Sequence, residues 1–461
     1  MAIESHCRRC AVQALRRGHR PLEALISFGS FVSALSGLRA AGTAIEAIGD
    51  NLANLNTVGF KGSSISFQDV VADVTGGGGP KSGSGVAAPL VLKSFGQGSI
   101  QTTQGSLDAA IQGDGFFVVR EAAAGSPVAG STDPSTAVYT RAGNFRINEN
   151  GLLVTATGQR VQGWSLNTVS GQLSPSDPIG DIIVPVGSNR AAKAATSFNI
   201  SSNLDASASD GTIFSTPINL YDSLGNAHVV SVTFTKTGVN TWDANVATTD
   251  QAITGITPAG PWKFKFDANG GLSDVSGTGY DTATGLIKDI GLTLSNGAQS
   301  PQKLSWSPWQ SLPAGTPPVG VGRISQFSQP SASSSIFQDG LPAAQLTGVS
   351  IAKGGAVMAQ YSNGSQQEVA RLSMVSIRNP DTLVSVGNNN YHTGVGSAIP
   401  VVGEAGSGGR GSILGQSLEG SNVDIANEFT KLIIFQRSYS ASARVVTTTD
   451  EISQETINIK R

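Results

Sequence analysis

The chain is poor in cysteine and in charge, and each shortage excludes a class of protein. Only 2 of the 461 residues are cysteines, Cys7 and Cys10, so disulfide bonds cannot staple the body of the chain. Charged residues make up 13% of the sequence, about half the share of an ordinary globular protein. The formal net charge of -2 provides no basic surplus for nucleic acid or an anionic membrane.

Motifs that carry chemistry are also scarce. The chain has four histidines, and none in the body has a second ligand at metal-binding spacing. Residues 267–271 hint at a calcium loop but lack its further acidic positions. The glycines of 112–115 precede a predicted strand rather than a helix, so they do not form a phosphate-binding motif. The sequence therefore predicts no catalytic residue, no metal and no cofactor.

Glycine and alternating strands are what the sequence has in quantity. There are 57 glycines and 20 prolines, which is typical of turn-rich β-structure. Apolar and polar residues alternate along 230–234, 242–246 and 262–266, and Asn269-Gly270 follows the last of these. Such alternation beside Asn-Gly turns predicts antiparallel hairpins, and we find no convincing helix between about 80 and 415.

Near the N-terminus the apolar period changes to that of a helix. Apolar residues recur every seven positions over four heptads, which predicts a helix from Ser30 to Leu55 with Gly59 as its stop signal. The predicted seam consists of Phe31, Leu38, Ile45 and Leu52, together with Ala34, Ala41, Ile48 and Leu55.

A second helix is predicted over 420–461. Residues 421–424 resemble a capping box at its start, and Gln436 interrupts its apolar face. Neither helix would be stable alone in water, so each needs the other, neighbouring copies, or both. The predicted seam of the second helix comprises Ile425, Phe429, Leu432, Tyr439, Ala443 and Val446.

Residues 1–26 form an arginine-rich segment without the apolar core of a secretory signal. They are either a basic extension or an over-long start, with translation beginning near Leu25 to Ser27. We favour the second interpretation because ordered periodicity begins immediately afterwards. No apolar run is long enough to span a bilayer, so we expect no membrane insertion.

Several segments resemble the flagellar rod and hook family of axial proteins. The N-terminal signature lies at 51–61, a second match at 107–117, and the C-terminal signature at 418–424 and 435–441. The middle, at 217–228 and around 387–391, resembles hook members of that family. The motif residues that carry the resemblance at the two ends are Asn51, Asn54, Asn56, Thr57, Gly59, Phe60, Ser421, Asn422, Val423, Gln436 and Arg437.

The resemblance implies a layered, non-enzymatic subunit whose N- and C-terminal helices pair as a coiled coil. It implies an N-terminal helix and motif at 27–75, an inner β-domain at 76–165 plus 346–419, an outer β-domain at 166–345, and a C-terminal helix at 420–461. Such a subunit polymerises with itself into a curved, flexible tube that transmits torque from rod to filament. The implied partners are the distal rod protein, the hook cap, the hook–filament junction proteins and the type III export apparatus, with a location in the flagellum outside the cell.

Three other interpretations remain open from the sequence. A distal rod protein of the same family would be straight and stiff. An extracellular β-rich adhesin would bind a ligand without assembling. A β-rich carbohydrate enzyme would cleave glycosidic bonds by hydrolysis or by a lyase reaction, and substitution of its carboxylates would abolish that activity.

Overall fold

Two long helices lie at the ends of the described chain, and nearly everything between them is β-structure. A computed structural model describes residues 20–71, 83–121, 137–166, 173–174, 176–187, 189–310 and 322–458. The proposed extension up to residue 19, with both cysteines, lies outside these residues, as does most of the glycine-rich stretch that begins at residue 76. Within the described residues, no helix is both long enough and apolar enough to cross a membrane.

Helix α1 spans Arg20–Ala53 and helix α2 spans Ile425–Asn458. Between them the described residues contain only short 3-10 turns, at Lys353–Gly355 and Pro380–Thr382, which confirms the predicted lack of helix there. Helix α1 begins at Arg20 rather than at Ser30. It ends at Ala53, before the predicted Leu55, and the Asn54 side chain donates a hydrogen bond to the Asp50 carbonyl oxygen at 2.9 Å.

The described residues form 34 strands. The first half are β1 Ser63–Ser66, β2 Asp69–Val71, β3 Gly83–Val86, β4 Leu90–Lys93, β5 Ile100–Thr102, β6 Ala109–Gln112, β7 Phe116–Arg120, β8 Ala137–Thr140, β9 Arg146–Ile147, β10 Leu153–Val154, β11 Arg160–Ser165, β12 Gly180–Asp181, β13 Asn189–Arg190, β14 Ser197–Asp205, β15 Ile213–Tyr221, β16 Ala227–Gly238 and β17 Thr241–Thr248. The second half are β18 Ile253–Thr257, β19 Trp262–Phe266, β20 Leu272–Ser276, β21 Tyr280–Asp281, β22 Leu286–Leu294, β23 Gln302–Trp306, β24 Ile324–Phe327, β25 Ala332–Gln338, β26 Ala344–Ile351, β27 Ala356–Tyr361, β28 Gln366–Leu372, β29 Met374–Ser376, β30 Leu383–Gly387, β31 Asn390–Thr393, β32 Val401–Gly403, β33 Ser412–Gly415 and β34 Ser417–Glu419.

The chain forms two compact units. Unit 1 takes its residues from Met1–Val184, Val349–Ala359 and Gln367–Arg461, and unit 2 takes Pro185–Gly348 and Gln360–Gln366. Unit 2 therefore begins later than the outer domain expected from residue 166. The reason is that β12 pairs with β11 of unit 1, and Asp181 on β12 forms ion pairs with Arg120 and Arg160.

Unit 2 is a two-sheet body around an aromatic core. Strands β15-β16-β17-β19-β20 form one sheet, and β18-β22-β23-β14-β24 form the path of the other, with β21 and β25 beside it. The alternation predicted for β16, β17 and β19 is confirmed, since Phe234, Trp242, Trp262 and Phe264 are fully buried. Trp306 of the opposite sheet lies 5.3 Å from the Phe264 ring and 5.9 Å from the Trp262 ring, between ring centroids.

Unit 1 is built around β7, whose first four residues are all buried. Strands β8, β11 and β29 pair with it in antiparallel register. An aromatic cluster of Phe95, Phe116 and Tyr391 packs edge to face on one side of this sheet, with 5.2 Å between the Phe95 and Tyr391 ring centroids. The short pair β34–β5 sets Glu419 opposite Ile100 just before α2, and this position defines the site described next.

Candidate functional site

The segments that follow α1 and precede α2 meet around one buried carboxylate, that of Glu419. Lys61 Nζ lies 2.7 Å from Glu419 Oε1, and Arg141 Nη1 lies 3.2 Å from Oε2. The Lys61 and Glu419 side chains are fully buried and that of Arg141 is 3% exposed. Lys61 and Glu419 are 358 residues apart in the sequence, so this ion cluster joins the two ends of the chain.

Backbone groups form further hydrogen bonds with the three buried charged side chains. Gly98 N donates to Glu419 Oε1 at 2.9 Å, and Lys61 Nζ donates to the Gly96 carbonyl oxygen at 2.8 Å. Arg141 Nη2 donates to the Gly113 carbonyl oxygen at 2.9 Å. Burial lowers the pKa of Lys61, while the charge of Glu419 and its hydrogen bond oppose that shift. The carboxylate therefore stabilises the ammonium in a place where water cannot.

Gly59 makes this approach of the two segments possible. Its φ of +68° lies in the left-handed region, and its N–H donates to the Glu419 carbonyl oxygen at 2.8 Å. A Cβ at this position would lie 2.6 Å from the backbone of Arg141 and Ala142. Gly59 is thus required for close backbone contact, and it is not the helix stop that the sequence predicted.

Two asparagine amides connect the same segments beside the ion cluster. Asn422 Oδ1 accepts from Gly62 N at 2.8 Å, and its Nδ2 donates to the Ser94 carbonyl oxygen at 2.8 Å. Asn51, on the last turn of α1, exchanges two hydrogen bonds with the Ser63 backbone. An amide supplies both a donor and an acceptor, so each asparagine can satisfy two buried backbone groups at once.

The two helices contact each other in antiparallel orientation. Asn51 Nδ2 near the end of α1 donates to Glu428 Oε2 near the start of α2 at 3.0 Å. Further along, a Cβ on Gly37 would lie 3.3 Å from Ser442 Oγ. The buried positions of α1 are Ala34, Ala40, Ala41, Ala44, Ile48 and Asn51; on α2 Glu428 is buried, and the half-buried positions are Leu432, Phe435, Ser442, Ala443, Val446 and Thr449.

The predicted seam residues occupy several different environments. Ile48, with Ala34 and Ala41, is buried against the rest of unit 1. The half-buried ones are Phe31, Leu38, Ile45, Leu52, Leu55, Leu432, Ala443 and Val446, and the exposed ones are Ile425, Phe429 and Tyr439. Small residues fill the centre of the α1 face because they let the helices approach closely, which leaves the larger side chains at its flanks.

The remaining motif residues are distributed between structural and exposed positions. Phe60 is buried under the Lys93 ammonium, Asn54 accepts from Thr57 Oγ1, and Asn56 is exposed. Ser421 Oγ accepts from Val423 N, so it is not the helix cap; Asp424 is, because its Oδ1 accepts from Asn427 N at 2.9 Å. Gln436 and Arg437 are exposed on α2.

Sequence reasoning did not select Lys61, Arg141 or Glu419 as site residues, although all three lay within matched segments. The signal that could have found them is charge in a charge-poor chain. The described residues contain no group of three or more His, Cys, Asp or Glu side chains able to hold a metal ion. The suggested calcium loop is a tight turn, in which Asp267 Oδ1 accepts from Asn269 N and Gly271 N.

Four family models match successive parts of the chain. In chain order they are "Flagella basal body rod protein" at 32–61, "Flagellar hook protein FlgE/F/G D1 domain" at 110–239, "Flagellar basal body protein FlaE D2 domain" at 188–341, and "Flagellar basal body rod FlgEFG protein C-terminal" at 414–459. The first and last models cover the α1 and α2 segments that meet around the ion cluster.

Full-length relatives agree with these models. The flagellar hook protein FlgE of Borreliella burgdorferi is 30% identical over 94% of this chain and 99% of its own length. That of Escherichia coli is also 30% identical, over 94% of this chain and all of its own length. The chain belongs to the flagellar hook protein family. Among solved structures, the Helicobacter pylori flagellar hook protein FlgE2 is 16% identical with a TM-score of 0.47, covering 68% of this chain and 99% of that one.

As a hook protein, the chain is a structural subunit of the flagellum and not an enzyme. This decides against the adhesin and carbohydrate-enzyme interpretations, and the full-length hook matches decide against a distal rod protein. Membership of the family also means that the chain works as part of a polymer of its own kind.

Proposed function

We propose that α1 and α2 pair as a coiled coil and form the polymerisation element of the hook tube, with the ion cluster around Glu419 fixing this pair to the β-rich part of unit 1. The observation that carries the proposal is the number of large apolar side chains that α2 leaves exposed. They are Ile425, Phe429, Ile433, Ile434, Tyr439, Val445 and Ile452.

Heptad spacing supports the coiled-coil part of the proposal. The buried α1 positions 34, 41, 44, 48 and 51 lie three, four or seven residues apart, and so do the buried or half-buried α2 positions 428, 432, 435, 442, 446 and 449. An interval of 3.5 residues keeps one face of a helix towards its partner along its length. The polar pair Asn51–Glu428 fixes which residues face each other.

The outward face of α2 supports the polymerisation part. Ile425, Phe429 and Ile433 follow one another at i, i+4 and i+8, so they form a continuous apolar stripe, and each is at least half exposed. Exposed apolar stripes of this kind on a helix are typical of surfaces that another protein covers. In a homopolymer the nearest source of cover is a neighbouring copy.

The remaining parts of the proposal rest on membership of the hook protein family. Unit 1 beyond the helices and unit 2 form the inner and outer β-layers of the tube. The tube curves, flexes and transmits torque from rod to filament, and its ends contact the distal rod protein, the hook cap and the hook–filament junction proteins. The subunit leaves the cell through the type III export apparatus.

Charging the α2 stripe tests the proposal. Phe429→Glu and Ile433→Glu keep helix propensity but place carboxylates on the apolar face. We expect each variant to fold as the parent does and to lose most polymer, measured as sedimentable tubes by centrifugation and electron microscopy.

The matched control is Val239→Glu, which charges an apolar residue that is 89% exposed at the β16–β17 turn of unit 2. We expect the control to assemble like the parent. Normal tube yield from both α2 variants, with monomer circular dichroism unchanged, would remove α2 from the polymer contact.

A further inference from the structure

We propose that Asn296, in the loop between β22 and β23, is a site of spontaneous deamidation at which His228 acts as the proton donor. The chain has four Asn-Gly pairs, at 150–151, 269–270, 296–297 and 363–364. In such a pair the asparagine side chain is open to attack by the next backbone nitrogen, because glycine has no side chain to obstruct the approach. Two structural features distinguish the pair at 296–297 from the other three.

The first feature is the state of the attacking nitrogen. In the other three pairs the glycine N–H donates a hydrogen bond to a backbone carbonyl oxygen, at 3.0 Å for Gly151, 3.1 Å for Gly270 and 2.9 Å for Gly364. Each of these bonds has to break before the nitrogen can attack. Gly297 N has no hydrogen-bond partner among the described residues. Gly297 is also exposed, and a Cβ built there would have no atom within 4 Å, so water can reach the site.

The second feature is an acid beside the leaving nitrogen. Asn296 Nδ2 donates to Asp222 Oδ2 at 2.6 Å and lies 3.4 Å from His228 Nε2. Asn296 Oδ1 accepts from Ala298 N at 3.1 Å, which holds the amide in place. The imidazole is held as well, since its Nε2 lies 3.1 Å from Asp222 Oδ2 and its Nδ1 lies 2.8 Å from Asp250 Oδ2. Carboxylates only accept hydrogen bonds, so both ring nitrogens carry a proton when both bonds form.

The reaction needs water as its only co-reactant. Gly297 N forms a bond to Asn296 Cγ and gives its proton to water, and the side-chain nitrogen of this intermediate is a basic amine. His228 Nε2–H protonates the amine, the Cγ–Nδ2 bond breaks, and ammonia leaves behind a five-membered succinimide. The imidazole regains its proton from solvent, and water opens the succinimide to aspartate or isoaspartate. A positioned acid accelerates a step of this kind by about 10²–10⁴-fold.

The product alters a contact between the two sheets of unit 2. Asp222 follows β15 of one sheet and Asn296 follows β22 of the other, and beside them Gln299 N donates to Ser223 Oγ at 2.8 Å. The Asp222 side chain is fully buried. A carboxylate at position 296 faces that of Asp222 where an amide donated to it before, and like charges so close repel each other. Deamidation is therefore a slow, one-way change that weakens unit 2 as the subunit ages.

Peptide mapping of the folded full chain tests the inference. Trypsin, which cleaves after lysine and arginine, releases the fragments 289–303 and 266–288, whose single asparagines are Asn296 and Asn269. The chain is incubated at neutral pH, and mass spectrometry of digested aliquots measures aspartate and isoaspartate at each position. In the folded chain we expect Asn296 to deamidate about tenfold faster than Asn269 or more, because only Asn296 has a positioned acid. In urea we expect the two rates to become similar.

His228→Gln removes the acid and keeps a hydrogen-bonding side chain. We expect the rate at Asn296 to fall about tenfold or more while the rate at Asn269 stays the same. If the rate at Asn269 instead rises to its value in urea, the variant has unfolded, and the comparison within the folded parent decides. Deamidation at Asn296 that is no faster than at Asn269 in the folded parent contradicts the inference. An unchanged rate at Asn296 in folded His228→Gln contradicts it as well.

Discussion

At the scale of single residues, the chain has few charged side chains, and three of them, Lys61, Arg141 and Glu419, are buried together. Glu419 is shared by Lys61 and Arg141, so one buried anion balances two buried cations. Removing one member of such a cluster costs more than the interaction was worth, because the remaining charges stay buried without compensation. Sequence patterns could not predict this cluster, since its members lie up to 358 residues apart.

The first prediction at this scale concerns Glu419→Gln. We expect it to lower the free energy of unfolding of unit 1 by about 3–5 kcal/mol, because Lys61 and Arg141 lose their counter-charge. Urea unfolding followed through Trp164, which is buried in unit 1, measures the change. The matched control is Glu404→Gln at a partly exposed ion pair with Arg371, where we expect a loss of about 1 kcal/mol or less. Equal losses in the two variants would argue against a special role for Glu419.

A second cluster lies in unit 2 around His228. Its Nε2 lies 3.1 Å from Asp222 Oδ2 and its Nδ1 lies 2.8 Å from Asp250 Oδ2, while Asn296 donates to the same oxygen of Asp222 at 2.6 Å. Burial alone would lower the pKa of His228, but its hydrogen bonds to Asp250 and Asp222 outweigh burial and raise that pKa. Hydrogen bonds from His228, Asn226 and Asn296 likewise overcome burial and lower the pKa of Asp222.

The pH dependence of unit 2 follows from these directions. The imidazolium of His228 contributes full stability below its unfolded pKa of about 6.5, and the contribution is lost as pH rises through the higher folded pKa. We therefore expect the free energy of unfolding to fall in the parent as the pH rises from about 6.5 through the raised folded pKa of His228, and to become flatter in His228→Gln. Tryptophan-monitored unfolding across this range provides the measurement, with His392→Gln as control. An equally steep fall in His228→Gln would exclude this cluster as the cause.

At the scale of elements, the sequence predicted that the two helices exist but not which residues of α1 lie innermost against α2. Helical periodicity predicted both helices, and the predicted α1 seam gave the row of Phe31 and Leu38 the same weight as the row of Ala34, Ala41 and Ile48. The face of α1 that meets α2 is instead rich in small residues, because a Gly37 or Ala44 backbone can lie close to a neighbouring helix. Periodicity predicts that a helix has an apolar face. Which residues of that face lie at the centre of the contact depends on the helix that packs against it.

Asn51→Ala is the prediction at the element scale. It removes the bond to Glu428 and leaves the Ser63 N–H and carbonyl without their partner, which we expect to cost about 2–3 kcal/mol. Amide hydrogen exchange over the first turns of α2 should become faster, because the contact that holds α2 against α1 is lost. Asn427→Ala, at an exposed position on α2, is the control. Exchange that is equally slow in both variants would show that Asn51 does not fix the helix pair.

At the scale of the whole molecule, the alternating strands of unit 2 were predictable and the unit boundary was not. Strands β16, β17 and β19 can be recognised in the sequence because every second side chain is buried in the core, which makes apolar and polar residues alternate. The boundary at Pro185 depends on β12 pairing with β11 and on the ion pairs of Asp181, and these contacts leave no local signal. The local sequence pattern therefore predicts individual strands and helices. The compact unit to which a strand belongs depends on long-range polar contacts.

The separation of Lys61 from Glu419 has a consequence for the order in which the subunit can fold. A loop of several hundred residues must close before Lys61 and Glu419 can stabilise the fold. Many stabilising contacts of unit 1 therefore join residues that are far apart in the sequence, and such contacts form slowly. Unit 2 lies entirely between these two residues, and its β15-β16-β17-β19-β20 sheet forms from strands close in the sequence, although β14 pairs with the more distant β23, β24 and β25. We therefore expect unit 2 to become native first, with the ends of the chain closing around Glu419 as the slow, final step of folding.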